Sequence, residues 1–367
     1  MSWGILILML ALRDPNTYIC RMENDTMGED MSRIGVSSKR VPDLMKALVY
    51  DTYGTPEVLR LEDLTVPTPK EHEVLIEVHA TSINSWDWDL LLGQPFVTRI
   101  GAVRKPRYRI LGADVAGTVV AVGAAAGQFQ VGDRVFGDLS ACNWGGFAEY
   151  VCASETALTL IPTGISYVQA AAIPQAAVLA LQGLRNRGTL QQGQRILING
   201  AGGGVGTFAL QYAKLHGAEV TCVDHGEKLE MLQALGSDHV IDYRNEDYAA
   251  QGITYDVILD VVGNRKVTTL KRALRSGGRY VMIGGPMGRI VMNLLWSPIV
   301  SKLENKKISV LVHKQSAEDQ KEWIELVESG HIIPIIDQQY PLREAAQAFR
   351  DMGAGRVKGK TIVIMKE

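Results

Sequence analysis

The chain has 367 residues, 46% hydrophobic and 21% charged, with a formal net charge of −2. That length and apolar content suffice for two ordinary domains, and the near-neutral charge argues against a nucleic-acid partner. The four cysteines, Cys20, Cys142, Cys152 and Cys222, show no C-x-x-C spacing, which leaves no sign of a disulfide framework or a cysteine-rich zinc site and suits a reducing, cytoplasmic setting.

Residues 1–44 differ from the remainder. The apolar run 5–12 is too short to cross a bilayer and lacks a preceding positive charge of the signal-peptide type. Residues 14–41 are polar without a sustained period, the pattern of a disordered segment. We expect Met45 to be the natural start and the preceding stretch an upstream extension, with a membrane-associating tail as the alternative; no stable membrane insertion is expected.

From Met45 to about residue 168 the pattern is β-rich and barrel-like. Met45-Lys46-Ala47-Leu48-Val49-Tyr50 and the runs 74–79, 117–122, 134–136 and 148–151 read as strands, punctuated by Gly132-Asp133 and Gly145-Gly146. Residues 169–301 alternate β and α: strands at 195–198, 219–223, 240–242, 256–260 and 279–283, with helices after residue 205, near 227–235 and near 268–274. Such alternation requires an α/β fold with a doubly wound parallel sheet. Residues 302–367, with a strand at 308–312, helices at 317–328 and 342–352 and a strand at 361–365, are expected to return to the first domain.

The stretch Asn199-Gly200-Ala201-Gly202-Gly203-Gly204-Val205-Gly206 joins a strand pattern to a helix pattern almost entirely through glycine. Strict G-x-G-x-x-G fails, and G-x-x-G-x-x-G fits through Gly200, Gly203 and Gly206. Backbone without Cβ atoms can approach a pyrophosphate, whose charge the helix N-terminus then holds. Asp224 closes the next strand where a ribose-binding carboxylate of a βαβ unit belongs. Gly204, Val205, Lys228, Tyr243, Gly263 and Gly284, at the ends of these strands and turns, complete the expected cofactor-binding set.

Together with Leu190-Gln191-Gln192-Gly193, the run 129–135, Gly146-Phe147-Ala148-Glu149-Tyr150 and Gly355-Arg356-Val357-Lys358-Gly359-Lys360, this turn resembles the signature of the quinone oxidoreductase branch of the medium-chain dehydrogenase/reductase superfamily. The resemblance runs from Met45 to the C-terminus. It implies a GroES-like barrel built from both ends of the chain, a Rossmann domain inserted between, an active site in the cleft, and a homodimer. Zinc-dependent members place cysteine where Asn84 stands and histidine where Ala113 stands; with both gone no metal is expected. A zinc-free member takes substrates that accept hydride readily, quinones or α,β-unsaturated carbonyls (enones). A cofactor-binding sensor or crystallin-like protein without turnover is the other reading. NADPH is the family's usual cofactor, whereas Asp224 favours the free 2′-hydroxyl of NADH and Lys228 and Arg244 partly offset it, so NADPH or NADH is expected. Many relatives carry threonine where Leu179 stands, at the nicotinamide end.

Two candidate catalytic residues follow the first long strand. Asn84 is a donor to a substrate carbonyl or the nicotinamide ribose, or else satisfies its own loop; Asp87, an acceptor when ionised, positions a neighbour or caps a short helix. Trp86, beside Trp88, and Trp144 offer aromatic surface to a flat substrate, with core packing as the plainer role. Cys142 reads as an ordinary small residue, and His225 is a candidate contact for the adenosine end.

Overall fold

Residues 41–365 are described in the computed structural model of the chain; the expectation for the segment before Met45 lies, up to residue 40, outside them. The first part contains β1 (Leu44–Val49), β2 (Arg60–Thr65), β3 (Glu73–Ser82), α1 (Ser85–Leu92), β4 (Asp114–Val122), β5 (Arg134–Asp138), β6 (Tyr150–Ser154), β7 (Leu158–Leu160), α2 (Tyr167–Ala171) and α3 (Pro174–Leu181). Next come β8 (Arg195–Asn199), α4 (Gly204–Leu215), β9 (Glu219–Asp224), α5 (Leu229–Ala234), β10 (His239–Asp242), β11 (Tyr255–Asp260), α6 (Val267–Ala273), β12 (Leu274–Met282), α7 (Met287–Glu304), β13 (Lys307–Val310) and α8 (Ala317–Glu328). The chain closes with β14 (Ile336–Pro341), α9 (Ala345–Gly353) and β15 (Lys360–Ile364).

The six-stranded sheet has the order β10-β9-β8-β11-β12-β13 and is parallel throughout. It runs outward from β8 on one side and β11 on the other, the doubly wound arrangement whose ligand crevice opens at the carboxyl ends of the strands. The central strands are apolar on both faces because helices cover both: Ile196, Leu197, Ile198, Ile258 and Leu259 are fully buried. α4 presents Phe208, Ala209, Tyr212 and Ala213 to this core, and the Phe208 ring meets Trp323 of α8 at 5.2 Å.

The other large sheet, β14-β15-β3-β4-β5-β7 with β6 also on β3, is the GroES-like part, and β15 brings residues near the C-terminus beside β3. One expected boundary shifts. β13 and α8, placed after residue 301 in a returning segment, belong to the doubly wound unit: β13 pairs with β12 from Lys307↔Arg279 to Met282↔Val310, and buried Trp323 and Ile324 of α8 join its core. The return begins at β14. The intervening α7 hid this, since it buries only Asn293 and Val300 and shows no clear apolar stripe.

Candidate active site

The Gly-rich turn lies at the carboxyl end of β8 and leads into α4. Gly200 has φ +84°, the left-handed region that glycine enters freely, and its N–H donates to the Val223 carbonyl at 2.9 Å. At Gly206 a Cβ would lie 2.4 Å from the Ala201 backbone, so the bare Cα lets the helix close on the strand. Gly203 is different: φ is −91°, and a Cβ would meet nothing nearer than the Gly200 carbonyl oxygen at 3.8 Å. Space therefore remains over Gly203, beside the first-turn N–H groups of α4 that have no intrahelical acceptor. This cradle fits a pyrophosphate. Val205 packs against the core of the doubly wound unit, and a Cβ on Gly204 would strike the Lys360 stem at 2.6 Å.

Asp224 ends β9 and turns back onto the Gly-rich turn. Its Oδ2 accepts the Gly202 N–H at 2.7 Å, its Oδ1 accepts the His225 N–H at 2.7 Å, and Lys228 Nζ stands 3.7 Å from Oδ1. Tyr243 donates its N–H to the Asp224 carbonyl at 3.2 Å, and its half-exposed ring meets His225 edge-on at 6.3 Å. Arg244 binds Asp242 at 2.7 Å, and chiefly that hydrogen bond holds the Asp242 carboxyl down at about 2. Gly263, with φ +63°, and Gly284 lie side by side past β11 and β12: a Cβ on Gly263 would be 2.2 Å from the Gly284 carbonyl oxygen. The fully buried Asp260 fixes this edge by accepting the N–H of Gly263 at 2.7 Å, the Asn199 amide at 2.8 Å and the Tyr280 hydroxyl at 2.8 Å.

On the barrel side, Asn84 begins α1 and enters a buried polar cluster. Its Nδ2 donates to Asp114 Oδ2 at 2.9 Å, and its Oδ1 accepts from Lys360 Nζ at 2.6 Å. Ser82 Oγ and the Gln175 N–H also donate to the Asp114 carboxylate, at 2.6 and 3.1 Å. Lys360 Nζ lies 3.4 Å from Asp114 Oδ2, and burial works against both charges, pushing Asp114 up and Lys360 down while each partner supports the other's ionised form. Gln175, at the start of α3, adds a buried Nε2 with no hydrogen-bond partner among the described residues.

Asp87, expected beside Asn84 as a catalytic candidate, is committed to scaffold. Its Oδ2 accepts the Asn84 N–H at 2.8 Å and its Oδ1 the Gly112 N–H at 2.9 Å. It is fully buried, and burial pushes its carboxyl up to about 7 despite those two bonds. The capping and positioning role is the one its contacts describe.

Trp86 and Trp144 do come together, edge to face at 6.0 Å and 81°, and Trp144 continues to Tyr108 at 5.8 Å. Trp86 is 44% exposed, whereas Trp144 is buried and held at φ +62°, a conformation that non-glycine residues adopt at a cost. Trp88 points elsewhere, against Gly353, as packing. Burial pushes the Cys142 thiol up, away from thiolate character.

Sequence reasoning did not pick out Asp114, Gln175, Asp138, His313 or the role of Lys360. Lys360 did carry a signal, as the last residue of the closing motif. The clasp that gives it meaning is tertiary: the Gly359 N–H donates to the Gly202 carbonyl at 2.9 Å, which lays β15 across the Gly-rich turn.

Residues 70–163 match the family model described as alcohol dehydrogenase GroES-like domain, and residues 235–363 that described as zinc-binding dehydrogenase. The chain is 33% identical over 336 residues to the chloroplast envelope quinone oxidoreductase homolog of Arabidopsis thaliana, covering 87% of this chain and 98% of that protein. It is 32% identical to the chloroplastic NADPH-dependent alkenal/one oxidoreductase of Arabidopsis thaliana, covering 88% of this chain and 80% of that protein. The solved quinone oxidoreductase of Coxiella burnetii superimposes with a TM-score of 0.80 at 29% identity, covering 88% of this chain and all of that one.

Proposed function

Because the chain belongs to the quinone oxidoreductase-like medium-chain dehydrogenases/reductases, NAD(P)H-dependent oxidoreductases, we propose that it reduces a quinone or an α,β-unsaturated carbonyl by direct hydride transfer between its two domains, without zinc. The observation that carries this reading is the clasp of β15 on the Gly-rich turn, since it sets Asn84, Asp114 and Lys360 beside the pyrophosphate cradle.

NADPH or NADH supplies the hydride. Gly200, Gly203, Gly204, Val205 and Gly206 would hold its pyrophosphate, Asp224 and Lys228 would meet its adenosine ribose, Tyr243 would border the adenine end, and Gly263 and Gly284 would leave room for the backbone to pass close to it. Asn84 and Gln175 offer amide hydrogens to a substrate oxygen, where a delocalised developing charge needs only such donors. Trp86 and Trp144 form one wall for a flat substrate, and Asp87 keeps Asn84 in register.

A zinc-free site is supported by the donor set. Where thiolate and imidazole would bind a dication, an amide oxygen already accepts from the Lys360 ammonium at 2.6 Å. Among the described residues no group of three or more His, Cys, Asp or Glu is placed to hold a metal ion. Nor is any helix among them long and apolar enough to cross a membrane. The reading includes a cytoplasmic setting and a homodimer.

The test is oxidation of NADPH and of NADH with o-quinones, p-quinones and 2-alkenals, before and after chelation. Turnover that survives chelation is expected. Absence of turnover with every acceptor would leave a cofactor-binding protein, and about one zinc per chain, lost together with activity, would overturn the zinc-free mechanism.

A further inference from the structure

His313 lies three residues past β13, at the carboxyl edge of the parallel sheet where ligands of such folds bind. Its Nε2 is 2.7 Å from Oδ2 of Asp138, the residue that ends β5 and leads into the loop carrying Trp144. The two side chains are 8% and 1% exposed. Neither is free to swing. The other Asp138 oxygen accepts the Ser140 N–H at 2.7 Å, and the Gln315 side-chain amide donates to the Asp138 carbonyl. Gln182 clamps the adjoining Lys314 through its carbonyl at 2.7 Å and its N–H at 3.2 Å. The remaining ring nitrogen, Nδ1, is buried with no hydrogen-bond partner among the described residues.

A strap between two domains would use Nε2 and Asp138 and give Nδ1 nothing to do, although leaving a buried polar atom unsatisfied is destabilising. A ring tethered through one nitrogen to a buried carboxylate, with the other nitrogen buried and unpartnered, is the arrangement of an oriented acid or base.

We propose that His313 is the acid that delivers the proton of the reduction, with Asp138 as the residue that positions it. The inference rests on the quinone or enone reading above. Hydride from the reduced nicotinamide, with its electron pair, forms a C–H bond at the β-carbon of an enone, and the π pair moves to the carbonyl oxygen. That oxygen takes the proton from Nδ1: the N–H bond breaks, its pair stays on nitrogen, and an O–H bond forms. The nicotinamide is left oxidised, the enol relaxes to the ketone in water, and a proton from solvent returns to Nδ1 while Asp138 holds the ring through Nε2. With a quinone the same hydride and proton give the hydroquinone. The titratable and charged groups around the pair are Asp138 itself, Asp114 and Lys360 behind it, the Cys142 thiol in the following loop and Lys314 in the same segment.

The experiment compares the full chain and its His313→Gln and Asp138→Asn variants with NADPH, a 2-alkenal and an o-quinone. We expect His313→Gln to lower kcat about a hundredfold or more, the range of general acid catalysis, with cofactor affinity within about twofold. In the wild type kcat should be lower in D₂O than in H₂O, because the transferred proton comes from Nδ1, and Asp138→Asn should lower kcat while leaving cofactor affinity within about twofold. A second readout needs no turnover and no variant: in the wild-type protein with ¹⁵N-labelled histidine, the His313 Nδ1 resonance should shift when oxidised cofactor and a saturated ketone are added together. A His313→Gln enzyme within threefold of wild type, or an Nδ1 signal unmoved by both ligands, overturns the inference and leaves the pair a strap. A wild type that reduces neither acceptor overturns the functional reading with it.

Discussion

Gly203 is the residue where the structure sharpens the chemistry most. Its φ of −91° imposes no strain on a side chain, and the nearest atom to an added Cβ is 3.8 Å away. Gly203→Val is therefore expected to fold with a melting temperature close to wild type while losing nicotinamide cofactor binding, because its branches occupy the pyrophosphate's space. Fluorescence titration with NADPH checks this, and unchanged affinity would remove the turn from the cofactor site. Asp224 belongs to the same scale. Its carboxylate holds the Gly202 N–H and keeps Lys228 Nζ 3.7 Å away. In Asp224→Ser the repulsion toward a 2′-phosphate is gone and Lys228 is released to meet it. The kcat/KM ratio for NADPH over NADH should rise by roughly tenfold or more, about 1.4 kcal/mol; an unchanged ratio would mean that Asp224 supports the turn without reading the ribose.

At the scale of elements, α1 depends on one buried carboxyl. Asp87 ties the start of the helix to Gly112, and burial holds its pKa at about 7, against about 3.9 for an unfolded chain. The folded state thus keeps a proton that the unfolded chain releases. This contribution to stability is fully present below about pH 4 and is lost as pH rises through about 7. Urea melts of wild type and Asp87→Asn from pH 5 to 8 should show the wild type losing ground to the variant as pH rises; a constant difference would refute it. Elements also show what the sequence could disclose. The run 317–328 states its own helix, because its period and its Ser316 cap are local, and the structure gives Ala317–Glu328. The Gly-rich turn is local too. By contrast, Lys360 reaches Asn84 across 276 positions and His313 reaches Asp138 across 175. Neither neighbourhood holds a sign of its partner, since the pairing of β15 with β3 creates the first and the meeting of the two parts of the fold creates the second. α7 escaped notice for the opposite reason: most of its apolar residues face outward, so no buried stripe marks it.

Across the whole molecule, that outward face is where a second copy is expected to dock. β13 is an edge strand of the six-stranded sheet, and the adjoining α7 exposes Leu295, Trp296, Ile299 and Leu303; unpaired edges and apolar patches of this kind call for a partner. Light scattering at micromolar concentration should give a dimer for wild type and a monomer for Leu295→Asp, and a wild-type monomer would refute the assembly. The position of β15 has a further consequence, for the order of manufacture. A ribosome delivers β3 early, then the entire six-stranded unit, and only afterwards the strand that lies against β3 and carries Lys360. The nucleotide-binding half can fold as it emerges, whereas the barrel waits with an unpaired edge, a state that invites holdase chaperones. Activity should therefore switch on in one step, when β15 joins β3, and cofactor captured earlier would find a cradle with its clasp still missing.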